Sequence, residues 1–103
     1  MVKFRLTEAA DLDLDGILDF GIDEFGASKA LEYYDGLNER LIRIGDKPLL
    51  YPAVDYIFPG YRRSVYGSHS IYYRIVDDCS EIVRIIGQQD AVKALHDHHQ
   101  SVQ

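Results

Sequence analysis

Cysteine is nearly absent from this chain, tryptophan is missing, and no long apolar run occurs. Cys79 is the single cysteine of 103 residues, which excludes an internal disulfide or a zinc cluster built on thiolates. No segment approaches the roughly 20 apolar residues of a membrane helix, and no signal-peptide pattern precedes Thr7. Cytoplasmic residence, with no membrane contact, is the expectation. Acid is the other local absence. From Tyr56 to Val76, YIFPGYRRSVYGSHSIYYRIV, there is no Asp or Glu, although the chain carries a formal charge of −6. That acidic balance argues against general nucleic-acid binding, which favours a broad basic field.

What is present points to one α+β domain over residues 1–90, followed by a polar tail, 91–103, that is partly helical or frayed. Val2, Phe4 and Leu6 alternate with Lys3 and Arg5, as a short half-buried strand does. Thr7 is a good N-cap, and Ala10, Leu14, Ile17, Gly21 and Phe25 follow helical spacing as a core stripe up to Gly26. A second helix begins near Ser28. Its seam is Ala30, Tyr34, Leu37, Leu41 and Ile44, with Gly45 closing it and Pro48 and Pro52 keeping the following loop non-helical. The short link predicts an antiparallel helical hairpin. Three strands complete the domain: Tyr61–Tyr66, Ile71–Val76 and Ile82–Ile86, separated by turns at Gly67-Ser68-His69-Ser70 and Asp77-Asp78-Cys79-Ser80. IVRII is apolar on both faces except at Arg84, which places it inside the sheet. The predicted order is β-α-α-β-β-β, a helical hairpin on a small, mainly antiparallel sheet.

Asp11, Asp13, Asp15, Gly16 and Asp19 imitate a calcium loop, but Ile22 stands where a bidentate Glu is required. As helix residues, Asp11, Asp15, Asp19 and Asp23 fall four apart and form an acidic ladder. Two readings stand: a solvated face, or a docking surface for a basic partner that includes Asp15 and Asp19.

The acid-free stretch holds Arg62, Arg63 and Arg74, with Arg84 on the next strand, and six of the eight tyrosines lie between Tyr51 and Tyr73. Arginine and tyrosine suit recognition surfaces, since each combines a flat apolar area with a hydrogen-bonding tip. Arg62 and Arg63 must point to opposite faces, so at most one joins an Arg74/Arg84 cluster. The other reading pairs these arginines with helix carboxylates. The apolar loop residues Leu49, Leu50, Tyr51, Tyr56, Ile57 and Phe58 either dock a partner or cover the sheet.

No active site stands out. Ser64, Ser68 and Ser70 lack the strand–elbow–helix setting of a hydrolase serine, and carboxylates around Cys79 oppose thiolate formation. His69 is a turn histidine, while His96, His98 and His99 sit in a tail with no rigid ligand shell. No metal or cofactor is expected.

Leu6-Thr7, Ala10, Asp13-Leu14, Ile17 and Phe25-Gly26 resemble the opening of ParE-type toxins of the RelE/ParE superfamily. Gly60-Tyr61-Arg62-Arg63, Gly67-Ser68-His69 with Ile71 and Tyr73-Arg74, and Ile82-Val83-Arg84-Ile85-Ile86 resemble that family's sheet, so the likeness runs from Phe4 to Asp90. The resemblance implies the toxin of a type II toxin–antitoxin pair, acting on DNA gyrase by binding rather than turnover. It implies a ParD-like antitoxin with a ribbon-helix-helix domain and a wrapping tail, and no direct nucleic-acid binding by the toxin alone. Target contacts would then include Arg62, Arg63, His69, Tyr73, Arg74, Arg84 and Gln88. Where the family has Leu-His and a basic residue after the last strand, this chain has Gly87-Gln88-Gln89-Asp90. A RelE-like messenger ribonuclease needs a proton-transfer group there, so it ranks second, with a non-toxic remnant third.

Overall fold

A computed structural model describes residues 3–87 of the chain. Gln88 and the expected helical piece Ala91–His96 lie outside the described residues, as does Val2. The elements are β1 (Phe4–Leu6), α1 (Glu8–Phe25), α2 (Ala27–Asp46), β2 (Arg62–Tyr66), β3 (His69–Val76) and β4 (Cys79–Gly87). The strands form one sheet in the order β1-β4-β3-β2, with β1 parallel to β4 and the other pairs antiparallel. This is the expected α+β order, and β4 lies inside the sheet as its two-sided apolar pattern required.

Thr7 joins the first strand to the first helix and ties both to the sheet. Its Oγ1 accepts from the Ala10 N–H at 3.1 Å and donates to the Val83 carbonyl at 2.9 Å. Its own backbone N–H donates to the Ile82 carbonyl at 3.0 Å. An N-cap is ordinarily worth about 1 kcal/mol, and this one also fixes where α1 leaves the sheet. Ala10 and Leu14 are buried and Ile17 is half-buried, but Phe25 is exposed, contrary to the predicted stripe. Every residue from Ile22 to Lys29 is exposed, so nothing of the sheet lies beneath that end of the hairpin. α2 starts at Ala27 without a side-chain cap, and Ala30, Leu37, Leu41 and Ile44 are buried along the expected seam. Gly45 does not close the helix. It lies within α2, buried where a Cβ would approach the Lys3 carbonyl carbon to 3.1 Å.

Both hairpin turns are tighter than predicted. Tyr66 pairs with His69 and Val76 with Cys79, leaving two-residue loops, Gly67-Ser68 and Asp77-Asp78. Asp77 and Asp78 both have positive φ, 51° and 61°, which matches the twist of two-residue hairpins and which Asp tolerates better than most residues. The strands therefore run longer, beginning at His69 and Cys79. Between Tyr72↔Arg84 and Tyr73↔Ile82 the register shifts, and Val83 is an extra residue on β4. Such a bulge re-aims the neighbouring side chain. Here that side chain is Arg84.

Apolar residues gather on both faces of the sheet. On one face Ile71, Tyr73, Ile82 and Ile85 pack against Leu14, Leu37, Leu41 and Ile44 of the helices. Val54, Tyr61, Tyr72 and Val83 form a second cluster, covered by Ile57 and Phe58 of the loop before β2.

Candidate functional site

The four arginines do not assemble into one cluster. Arg84 turns to α1, where its Nε and Nη2 donate to the two Asp13 carboxylate oxygens at 2.7 and 2.9 Å. The same carboxylate accepts from the Ile85 N–H at 2.9 Å. Asp13 therefore satisfies a strand amide and a guanidinium together, and it holds the Arg84 pKa above its ordinary value against the cost of burial. Arg74 donates to Glu81 at 2.8 Å, and Arg5 reaches the other Glu81 oxygen at 3.3 Å. Burial pushes the Glu81 carboxyl up, but hydrogen bonds and charge from Arg74 and then Arg5 outweigh it and hold the carboxyl below its usual range. Arg84 therefore pairs with a helix carboxylate, as the second reading had it, whereas the partner of Arg74 is Glu81 of β4 and not a helix residue. Asp13 was legible as the partner of Arg84 only on a helical projection, because it stands off the four-spaced acidic ladder and next to Ile17.

Arg62 and Arg63 behave differently, at the outer edge of the sheet. Arg62 donates to the Tyr51 carbonyl at 2.7 Å, and Arg63 reaches the Tyr56 hydroxyl at 3.3 Å. Neither forms an ion pair with a carboxylate among the described residues. Tyr73 is a core residue rather than a contact residue. It is fully buried, and its hydroxyl donates to the Pro48 carbonyl at 2.5 Å. Burial foremost pushes its pKa up to about 12, with Arg62 opposing.

The loop predicted as one apolar surface divides. Ile57 and Phe58 pack on the second cluster and Tyr51 packs on the main one, so these three cover the core. Leu49, Leu50 and Tyr56 stay exposed, Tyr56 at 77%. The loop also occupies part of the β2 edge: Arg63 donates its N–H to the Pro52 carbonyl at 3.1 Å, and Ala53 bridges to Arg62.

His69 sits in a lock between α2 and the β2–β3 hairpin. Tyr33 of α2 lies against Gly67, where a Cβ would come within 2.5 Å of its hydroxyl, and Tyr66 of the hairpin lies against Gly36 of α2, where a Cβ would overlap its hydroxyl. Gly67 also needs its positive φ of 56° for the turn. The Tyr33 hydroxyl lies 3.0 Å from the Tyr66 carbonyl and 2.8 Å from His69 Nδ1. A carbonyl only accepts, so Tyr33 donates its one proton to Tyr66, and His69 donates from Nδ1 to Tyr33. Burial lowers the His69 pKa, partly opposed by Asp13, which leaves Nε2 as an acceptor on a neutral ring near pH 7. Next to this lock, Arg40 donates to Ser64 Oγ and to the Val65 carbonyl, both at 2.8 Å, and stacks over Tyr66 and Tyr51. The sequence offered no signal for the Tyr33/Tyr66 exchange, since the two glycines are far apart along the chain.

A trough runs along the remaining side of α1. Between α1, α2 and the hairpin turn it encloses about 400 Å³, bounded by Ile17, Phe20, Phe25, Tyr33 and His69. It continues as a depression of about 320 Å³ toward Leu12, Gly16 and the end of β4. Leu12, Phe20 and Phe25 are 63%, 62% and 66% exposed. Asp15 and Asp19 are exposed, as are Asp11 and Asp23 of the same ladder.

Among the described residues no group of three His, Cys, Asp or Glu side chains could hold a metal ion, and no helix is long and apolar enough to cross a membrane. The sequence family described as "ParE toxin of type II toxin-antitoxin system, parDE" matches residues 4–92. Toxin ParE1 of Mycobacterium tuberculosis (strain H37Rv) is 32% identical over 88 residues, covering 84% of this chain and 90% of that protein. Toxin ParE1 of Caulobacter vibrioides is 31% identical over 94 residues, covering 91% and 97%. A solved structure described as the chromosomal ParDE TA system from P. aeruginosa shares the fold, with a TM-score of 0.71 at 24% identity over 84% of this chain and 96% of that one. This chain belongs to the ParE toxin family of parDE type II toxin–antitoxin systems.

Proposed function

We propose that this ParE toxin arrests growth in the cytoplasm by binding DNA gyrase, without turning over a substrate, and that a ParD-like antitoxin neutralises it. Family membership supplies the toxin–antitoxin setting. The observation that favours binding over cleavage is the state of the sheet cations. A ribonuclease needs free positive charge for the phosphate and a group that transfers its proton. Arg84 is committed to Asp13 and Arg74 to Glu81; Arg62 and Arg63 carry no such pair, but Gly87 and Gln88, where the proton-transfer group is expected, have no side chain that can transfer a proton. The target contact is then best carried by Arg62 and Arg63 at the β2 edge with exposed Tyr56, and by His69 beside the hairpin turn. Gln88 remains part of this proposal on the family likeness alone.

Purified full-length toxin added to gyrase should stop supercoiling and accumulate cleaved DNA, and Arg63→Glu should weaken both effects. Gyrase that supercoils normally in excess toxin rejects the proposal. Induction of the toxin alone should give filamentous cells with a DNA-damage response. Rapid messenger cleavage with intact chromosomes would support the ribonuclease instead, and normal growth a non-toxic remnant.

A further inference from the structure

Along the exposed side of α2 every fourth residue from Asp35 is charged, and the signs are ordered. Asp35 and Glu39 are followed by Arg43 and Lys47, so the row reads acid, acid, base, base, and all four are exposed. The first three lie within α2 and Lys47 caps it. Residues four apart are neighbours on a helix surface, so the row forms one ridge about 18 Å long. No ion pair joins any of the four to another charge among the described residues. None of them borders the trough along α1.

A groove of about 440 Å³ runs beside this ridge, where Ile42, Asp46 and Leu50 line it together with Glu39, Arg43 and Lys47. Ile42 and Leu50 are exposed, as is Leu49 at the turn. The turn is held rigidly from below. The Pro48 carbonyl accepts from Tyr73 at 2.5 Å, the Tyr51 carbonyl accepts from Arg62 at 2.7 Å, and the Leu50 N–H donates to the Lys47 carbonyl at 3.1 Å. The apolar wall of the groove is therefore in place before anything docks, which lowers the ordering cost of association.

We propose that this ridge and groove form a self-association surface, on which a second copy of the chain docks α2 against α2 in antiparallel order about a two-fold axis level with Leu41. That axis sets Asp35 against the partner's Lys47 and Glu39 against the partner's Arg43, and the symmetry repeats both pairs. Asp46 falls level with the partner's Gly36, not opposite another carboxylate. Each ridge lies in the other copy's groove, as four-spaced rows do in the commonest class of helix packing, and Ile42 and Leu50 leave water there. Charge selects this occupant. Arg43 and Lys47 repel a basic partner, and Asp35 and Glu39 repel an acidic one. Only a surface with the same row reversed satisfies all four, and the chain itself supplies it. The row sums to zero, so the overall charge of −6 is not concentrated on the contact.

The test is sedimentation of the purified full-length toxin, free of antitoxin, at rising concentration. Wild type should pass from monomer to dimer. Arg43→Glu should weaken the dimer at least about tenfold with the melting temperature unchanged, because a symmetric contact loses two pairs at once. Glu39→Arg should do the same. Mixed in equal amounts, the two variants should form a heterodimer as tight as the wild-type dimer, since the acids of one chain then face the bases of the other. Should either variant not fold, Lys47→Glu and Asp35→Lys provide the same exchange at the outer pair. Wild type that stays monomeric at every concentration rejects the proposal. A dimer that neither variant weakens places the contact elsewhere and rejects it too. Dimers lost in both variants and not recovered in the mixture reject the antiparallel pairing. A monomeric toxin whose affinity for the antitoxin or gyrase falls with Arg43→Glu would give the ridge to that protein and overturn the proposal.

Discussion

The β2–β3 hairpin and the distal half of α1 both carry large apolar side chains, yet one encloses them and the other holds them in water. In the hairpin and its approach, Tyr61, Ile71, Tyr72 and Tyr73 are buried. In α1 beyond Gly16, Phe20, Ile22 and Phe25 are exposed. Hydropathy does not separate them. The difference is the number of layers: β3 has a strand on each side, helices over one face and the loop residues Ile57 and Phe58 over the other. The end of α1 has only α2 beside it, and no residue from Ile22 to Lys29 is covered. Large apolar residues left uncovered at a helix end that no strand covers mark an interface better than tyrosines that happen to lie near arginines.

The contrast can be broken most severely at Tyr73. Tyr73→Ala should cost about 3–5 kcal/mol in chemical denaturation, since it leaves a cavity between the sheet and α2 and frees the Pro48 carbonyl. A cost under about 1 kcal/mol would mean that the hairpin is not core. Asp13→Ala strands the partly buried Arg84 guanidinium and the Ile85 amide, and should cost about 2 kcal/mol in the same measurement. Gly36→Ala drives a methyl into the Tyr66 hydroxyl and should cost about 1–2 kcal/mol. Tyr66→Phe in that background should recover only part of it, because the ring carbon would still stand 2.7 Å from the new methyl. A full recovery or none would show that the lock is not made by this contact.

A smaller effect belongs to His69. Its pKa is lowered in the fold, so the unfolded chain takes up the proton first as pH falls below about 6.5, and stability declines from there toward the lower folded value. His69→Gln should flatten that part of a melting-temperature profile, and an unchanged slope would rule the histidine out as its source. The smallest effect is expected at Phe20, where Phe20→Ser should shift stability by no more than about 0.5 kcal/mol. A large loss there would mean that the end of α1 is packed after all.

Most of the fold was readable because its signals are local. The Thr7 cap, the Ala30-to-Ile44 seam and the two-sided apolar run of β4 each specify an element from neighbouring residues. Turn lengths were misread, since Asp77 and Asp78 both accept positive φ where a longer loop was expected. The candidate surface was less readable. The acid-free segment drew attention to its arginines, but the carboxylates that neutralise Arg74 and Arg84 come from β4 and α1, outside that segment. Phe25 fitted a core stripe by spacing alone, and spacing says nothing about whether a strand lies beneath it.

The sequence by itself determined the element order, the central place of β4 and the family, because helical period, strand alternation and capping act over a few residues. Only the tertiary structure decided which charges meet and which apolar residues stay uncovered. Asp13 and Arg84 are 71 residues apart along the chain, and the β4 bulge that turns Arg84 to α1 exists only once the sheet has formed.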